Sequence, residues 1–273
     1  MHTKNHPYHI VELSPWPILT CLALLCITTS TVAFMHNAAF ALPAVFVSAI
    51  FLISCTVLWW RDVLREAIVE KQHNDVVRKG FKLGFILFII SEVAFFGVFF
   101  FSIIWNKLLP LKGLEAGSDI WHDKVVSWVP TNWVMFDPWN LPFTNTLILM
   151  LSGTTLTWAH YELKKHNKEK TLKALKLTIL LGIAFTGIQI FEYIHAPFKM
   201  PQSVFTSDFY ISTGFHGAHV LIGTIFLIVC YFRTALGHFD AGKSHSSFIF
   251  AAWYWQFVDI VWIGLFVFLY LWT

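Results

Sequence analysis

The chain has 273 residues, of which 56% are hydrophobic and only 13% charged, with a formal net charge of +3. A soluble domain carries about a quarter charged residues, so a large water-soluble core is excluded. No basic block interleaved with aromatics is present to suggest nucleic-acid binding. The composition is that of a polytopic membrane protein.

In chain order, the first fifteen residues are polar. The apolar run after them is long enough to span and has no small-residue cleavage site, so no cleavable signal is expected. Seven runs of about 19 to 24 residues follow, each able to cross ~30 Å of hydrocarbon. They cover 16–36, 42–60, 83–105, 142–161, 177–195, 209–232 and 248–270. A tight turn around His36–Ala41 joins the first two, and 61–82 and 162–176 read as charged loops. The long connection 106–141, with Pro, Gly, Asp and Trp, reads as an ordered extramembrane loop. With the N-terminus inside, fifteen Lys and Arg fall on the inner side and four on the outer, an asymmetry that favours N-in and C-out. Trp16, Trp59, Trp60, Trp105, Trp158, Tyr161, Tyr231, Tyr270 and Trp272 sit at span ends as interfacial anchors. Cys21, Cys26, Cys55 and Cys230 lie in apolar runs without CxxC spacing and read as buried free thiols.

Three formal charges fall inside these spans: Glu92, Glu192 and Asp259. A charge at bilayer depth is expensive and marks a functional-site candidate. Glu192 lies near the outer end of its span and reads as an interfacial carboxylate. Glu92, within FILFIISEVAFFGVFFFSII, and Asp259 are near mid-span. At ~1.5 Å per residue, Glu92, His219, Gln256 and Asp259 fall in one layer, which predicts a hydrogen-bonded cluster among spans three, six and seven. Gln256 and Asp259 share a helix face, as do His216 and His219. The two histidines lie in TGFHGAHVLIG, where Gly214, Gly217, Ala218 and Gly223 read as a packing surface. No repeated HxxxH, HxxHH or EExxH pattern accompanies them, so they read as structural and no metal is expected. Arg61, Asp62, Arg65, Glu66 and His73 follow Trp59 and Trp60 at the inner interface. This segment suits either a solvated loop or a phospholipid headgroup site.

Several motifs carry a resemblance. SPWP (14–17), WWRDVLRE (59–66), ILFIISEVAFF (86–96), TWAH (157–160), EYIHAPF (192–198), STGFHGAHVLIGTIFLIVC (212–230) and AAWYWQFVDIVW (251–262) occur in the order found in subunit III of the haem-copper cytochrome c oxidases, which the chain resembles along its length. The resemblance implies an all-α membrane protein of seven transmembrane helices with its N-terminus inside. It implies one subunit III domain over 1–273, in which a two-helix bundle (1–60) and a five-helix bundle (83–273) are joined by the inner loop 61–82 and separated by a lipid-filled cleft. It also implies a core subunit of the terminal oxidase of aerobic respiration, in which electrons pass from cytochrome c to O2 with proton translocation. That subunit has no catalytic residue, metal, haem or copper of its own. It packs against subunit I, has subunit II as a further partner, holds structural phospholipids and supports proton uptake. The location implied is a bacterial or mitochondrial inner membrane. Position by position, Glu92 is the intramembrane acid, and Trp60, Arg65, Glu66, His73 and Arg233 are lipid-contacting. Two departures stand out. Gln256 occupies the place of the histidine in the usual WYWHFVD, and an amide cannot titrate as imidazole does. The 106–141 loop lacks the usual Trp-Pro-Pro stretch.

Two alternatives remain at this stage. One is the equivalent subunit of a quinol oxidase. The other is a stand-alone transporter or enzyme using Glu92, His219 and Asp259, although the broken helices and inverted repeats of transporters are not evident.

Overall fold

The structure, a computed structural model, describes residues 13–70, 73, 75–108, 134–239 and 245–272. Most of the expected 106–141 loop lies outside the described residues. Among the described residues there are no strands. Seven α-helices run Trp16–Met35 (α1), Ala41–Ile68 (α2), Asp75–Leu108 (α3), Leu141–Lys164 (α4), Lys168–Ile194 (α5), Val204–Ala235 (α6) and Ser246–Phe266 (α7). A 3-10 turn at Met200–Gln202 precedes α6, and a π turn at Val267–Leu271 ends α7. The chain divides into two compact units, Met1–Phe81 and Lys82–Thr273.

The helices extend past the apolar runs. The segment read as a charged inner loop is helical through Ile68 and again from Asp75. The reason is local: Asp-Val-Leu-Arg-Glu-Ala-Ile contains strong helix formers and no Gly or Pro, so nothing stops α2 where its apolar run ends. The turn between α1 and α2 forms where expected, with Asn37 and Phe40 in the left-handed region.

In the first unit, α1 and α2 pack through small side chains. Ala23, Ser30, Ala41, Ser48 and Cys55 are buried, and Ser30 Oγ donates to Ser48 Oγ at 3.4 Å. Small residues let two backbones approach closely where lipid supplies no hydrophobic drive. Trp16 Nε1 donates to Asp62 at 2.7 Å, tying the start of α1 to the far end of α2. Cys21 and Cys26 are exposed on α1, not buried, whereas Cys55 and Cys230 are buried and all four are free thiols.

In the second unit, α4 to α7 pack closely, and α3 lies against α6 and α7 through long aromatic side chains. The core is dominated by Trp255, Trp262, Phe96, Phe185, Phe205, Phe209 and Phe248. Trp255 occupies a slot built by two glycines. A Cβ on Gly182 would stand 2.7 Å from its ring, and one on Gly223 would stand 2.8 Å away. Of the glycines read as a packing surface, only Gly223 packs tightly. Gly217 has open space beside it, and Ala218 is exposed.

Among the described residues, six of the seven helices are long and apolar enough to cross a membrane, and α4 is the exception. Its 24 residues span about 36 Å at the α-helical rise, so length is not what it lacks. Its polar residues turn inward. Thr146 accepts from Trp262 Nε1 at 2.9 Å and Ser152 from Trp255 Nε1 at 2.9 Å. Thr155 and Thr178 share a hydrogen bond of 2.8 Å. These hydroxyls lower the apolar character of α4 while joining it to α5 and α7.

Candidate functional site

The centre of the site is a contact between α3 and α6. His219 Nε2 lies 2.9 Å from Glu92 Oε2. The other ring nitrogen, Nδ1, lies 2.7 Å from the carbonyl oxygen of Phe215, one turn earlier on α6. A carbonyl only accepts, so Nδ1 carries a hydrogen and donates it. Nε2 then either accepts from a protonated carboxyl or, as imidazolium, donates to a carboxylate. Either way the Glu92–His219 contact holds one shared proton. Both side chains are mostly covered, 19% exposed for Glu92 and 13% for His219. Phe95, Phe96 and Tyr254 surround the imidazole, with ring centroids 5.1 to 6.3 Å away.

Of the four groups expected in one layer, the structure brings together Glu92 and His219. Gln256 is exposed and forms no hydrogen bond among the described residues. It shares the depth of Glu92 and faces elsewhere, because depth fixes height along a helix and says nothing of rotation about it. Asp259 turns toward α4. Its Oδ2 would lie 2.2 Å from a Cβ added to Gly153, and its buried Oδ1 has no hydrogen-bond partner among the described residues. His216 is fully buried between Phe185 and Trp262, with Nε2 3.2 Å from the Val258 carbonyl. That environment holds α6 against α7. Among the described residues no group of three or more His, Cys, Asp or Glu could hold a metal ion.

The second candidate set falls in two parts of the chain, the end of α2 with His73 in the first unit and the last turn of α6 in the second. Trp60 is exposed, and the Arg65 side chain is 71% exposed, with Glu70 3.5 Å from its Nε. Glu66 is half-buried, and the His73 ring lies 5.2 Å from that of Phe81. Arg233, in the last turn of α6, donates to Ser247 and stands 4.7 Å over the Phe239 ring.

Sequence reasoning missed a polar layer in the second unit, where α5 and α7 end and α6 begins. Glu192 is 2% exposed, not interfacial, and Tyr270 donates to it at 2.5 Å. The π turn at the end of α7 contains Tyr270. Ser102 on α3 donates to Asp208 on α6 at 2.8 Å, and Tyr193 and Thr213 share a 2.5 Å hydrogen bond. Asp208 escaped notice because α6 begins at Val204, before the apolar run that started at 209. The depth matching applied to Glu92 would have paired Glu192 with Tyr270 as well.

The sequence pattern of the family described as "Cytochrome c oxidase subunit III" matches residues 6–273. The chain is similar to the "Probable cytochrome c oxidase subunit 3" of Rickettsia felis, 52% identical over 270 residues, covering 98% of this chain and 96% of that one. It is 50% identical over 270 residues to the protein of the same description from Rickettsia prowazekii, with the same coverage. It is 43% identical over 272 residues to the "Cytochrome c oxidase subunit 3" of Arabidopsis thaliana, covering 100% of this chain and 98% of that one. The ordered motifs, the apolar helices and this near-complete coverage agree, and the chain belongs to the cytochrome c oxidase subunit III family.

Proposed function

We propose that this chain is the non-redox third subunit of a proton-translocating cytochrome c oxidase in an inner membrane, where it holds phospholipid and supports the subunits that carry haem and copper. The observation that carries this reading is the character of its intramembrane acid. Glu92 is engaged by a single histidine in an aromatic surround, an arrangement that retains one proton and offers no ligand set for a redox metal. Membership of the family and relatives named for the cytochrome c enzyme favour it over the quinol-oxidising counterpart.

Several finer features belong to the same proposal. The N-terminus lies inside, supported by the Lys and Arg asymmetry. α4 crosses with the other six helices, supported by its length and by hydroxyls that face protein. Phospholipid is held by this chain, with Trp60, Arg65, Glu66, His73 and Arg233 at the headgroup level. An exposed arginine and an exposed tryptophan near the end of one helix suit the membrane interface and a phosphate there, and this supports Arg65 and Trp60 in that role.

Purification from the native membrane tests the reading. The chain is expected to co-purify with haem-bearing subunits and phospholipid. Arg65→Ala is expected to lower bound phospholipid per complex while leaving the haem spectrum unchanged. Stoichiometric haem or metal in the separated chain refutes the assignment.

A further inference from the structure

Between the start of α4 and the end of α5, the second unit has an open cavity of about 170 Å³. Sites for drug-sized ligands hold ~300–1,000 Å³, so this one suits a small group. Its polar lining is Asp137, Asn140, Glu192 and His195, with Phe136 and Phe191 among them, and neither Lys nor Arg lines it. Phe136 stacks on Phe209 near the start of α6, which puts the cavity at the far end of that helix from Arg233.

The chain fixes this lining locally. In the turn before α4, the Trp139 N–H donates to Asp137 Oδ1 at 3.1 Å and the Asn140 N–H to the Asp137 carbonyl at 3.3 Å. Phe136 ties the turn to the core, its ring centroid 6.2 Å from that of Tyr270. Tyr270 in turn donates to Glu192 Oε1. Glu192 is 2% exposed, and its Oε2 is buried with no hydrogen-bond partner among the described residues. His195 Nδ1 lies 2.9 Å from the Phe191 carbonyl and donates to it, so Nε2 of the neutral ring is an acceptor. The lining is thus rich in acceptors, and its two carboxyls can carry negative charge.

A buried acceptor without a donor costs free energy. A metal ion does not fit, because among the described residues no group of three His, Cys, Asp or Glu could hold one. A primary ammonium fits on three counts. It carries three N–H donors. It brings the charge that carboxylates attract. Phenyl rings such as those of Phe136 and Phe191 attract a cation over their faces.

We infer that this cavity binds a primary ammonium on a short carbon stem, with Glu192 as its buried acceptor and Asp137 at the rim. The ethanolamine headgroup of a phospholipid and a free amine in water share that chemistry. The site is separate from the phosphate role given to Arg65 and Arg233, and it does not depend on the oxidase reading. Water is the competing occupant, which donates hydrogen bonds but brings no charge.

The test uses the assembled complex in lipid nanodiscs, with bound lipid counted by native mass spectrometry. In discs of mixed phosphatidylethanolamine and phosphatidylcholine, wild type is expected to retain one more phosphatidylethanolamine than Glu192→Gln or Asp137→Asn. Occupancy of that molecule is expected to fall about tenfold in either variant, as for loss of a hydrogen bond to a charged group. Phosphatidylcholine has no N–H on its ammonium and is not expected to replace it. In discs of phosphatidylcholine alone, ethanolamine in solution is expected to raise the thermal inactivation temperature of wild type and not of the variants if the source is a free amine. Asp137 is exposed, and Asn keeps the oxygen that accepts from Trp139, so Asp137→Asn decides the matter if Glu192→Gln fails to assemble. Equal retention of both lipids by wild type and Asp137→Asn, with no response to ethanolamine, leaves water as the occupant and overturns the inference.

Discussion

The Phe215 carbonyl sets the chemistry of the Glu92 pair more than the carboxyl does. By holding the Nδ1 hydrogen, it leaves Nε2 either to accept from a protonated carboxyl or, as imidazolium, to donate to a carboxylate. An amide can also donate to that nitrogen, whereas an alkyl group cannot. Glu92→Gln is therefore expected to cost less than about 0.5 kcal/mol, and Glu92→Leu about 1 kcal/mol, the usual worth of such a bond between helices in a membrane. Thermal inactivation of the complex measures both. A Gln variant less stable than the Leu variant shows that the pair is ionic. At this scale the sequence was partly legible. An acid amid twenty apolar residues announced itself, and depth along the helices found His219. Rotation about each helix axis was not legible, so Gln256 was grouped with a residue it does not meet. Glu192 was judged by its closeness to the span end, although Tyr270 and the surrounding core bury it.

Helices were legible from apolar runs because lipid requires every backbone group to be satisfied within the segment. Their ends were less legible, since polar helix formers carry α2 and α3 beyond the hydrocarbon. The interior of α4 to α7 was least legible, because a slot is a property of several helices together. Gly182 comes from α5, Gly223 from α6 and Trp255 from α7, and no local pattern links them. Gly182→Ala and Gly223→Ala each place a methyl group against the indole and are expected to cost about 1–3 kcal/mol as overpacking. Gly217→Ala, with nothing within 4 Å of the added atom, is expected to fall within about 0.5 kcal/mol of the parent. The three thermal inactivation temperatures of the assembled complex check this. Equal losses at Gly182 and Gly217 refute the slot as the cause.

For the molecule as a whole, charge and aromatic placement bracket the membrane. α3 carries Lys82 near one end and Lys107 near the other, 5.8 Å over the Trp253 ring and 4.6 Å over the Trp272 ring. Such pairs let a long cationic side chain lie along apolar surface with its head at the interface. Orientation is accessible to labelling, because all four native cysteines lie within helices in the apolar runs. His166→Cys, between α4 and α5, is expected to react with an impermeant maleimide only from the inner side. Lys199→Cys, between α5 and α6, is expected to react only from the outer side. The reverse pattern inverts the topology.

The 2.9 Å contact between Glu92 and His219 also bears on how the protein experiences membrane voltage. Moving one elementary charge across the full bilayer is worth about 2.3 kcal/mol per 100 mV. A proton hopping between these two groups travels no farther than their contact, about a tenth of a ~30 Å hydrocarbon core, even if it moves straight along the field. The potential then biases the hop by only about 0.2 kcal/mol per 100 mV, below thermal energy. Proton position in this pair is therefore set by the groups and aromatic walls around it, and it stays nearly unchanged as the membrane charges and discharges.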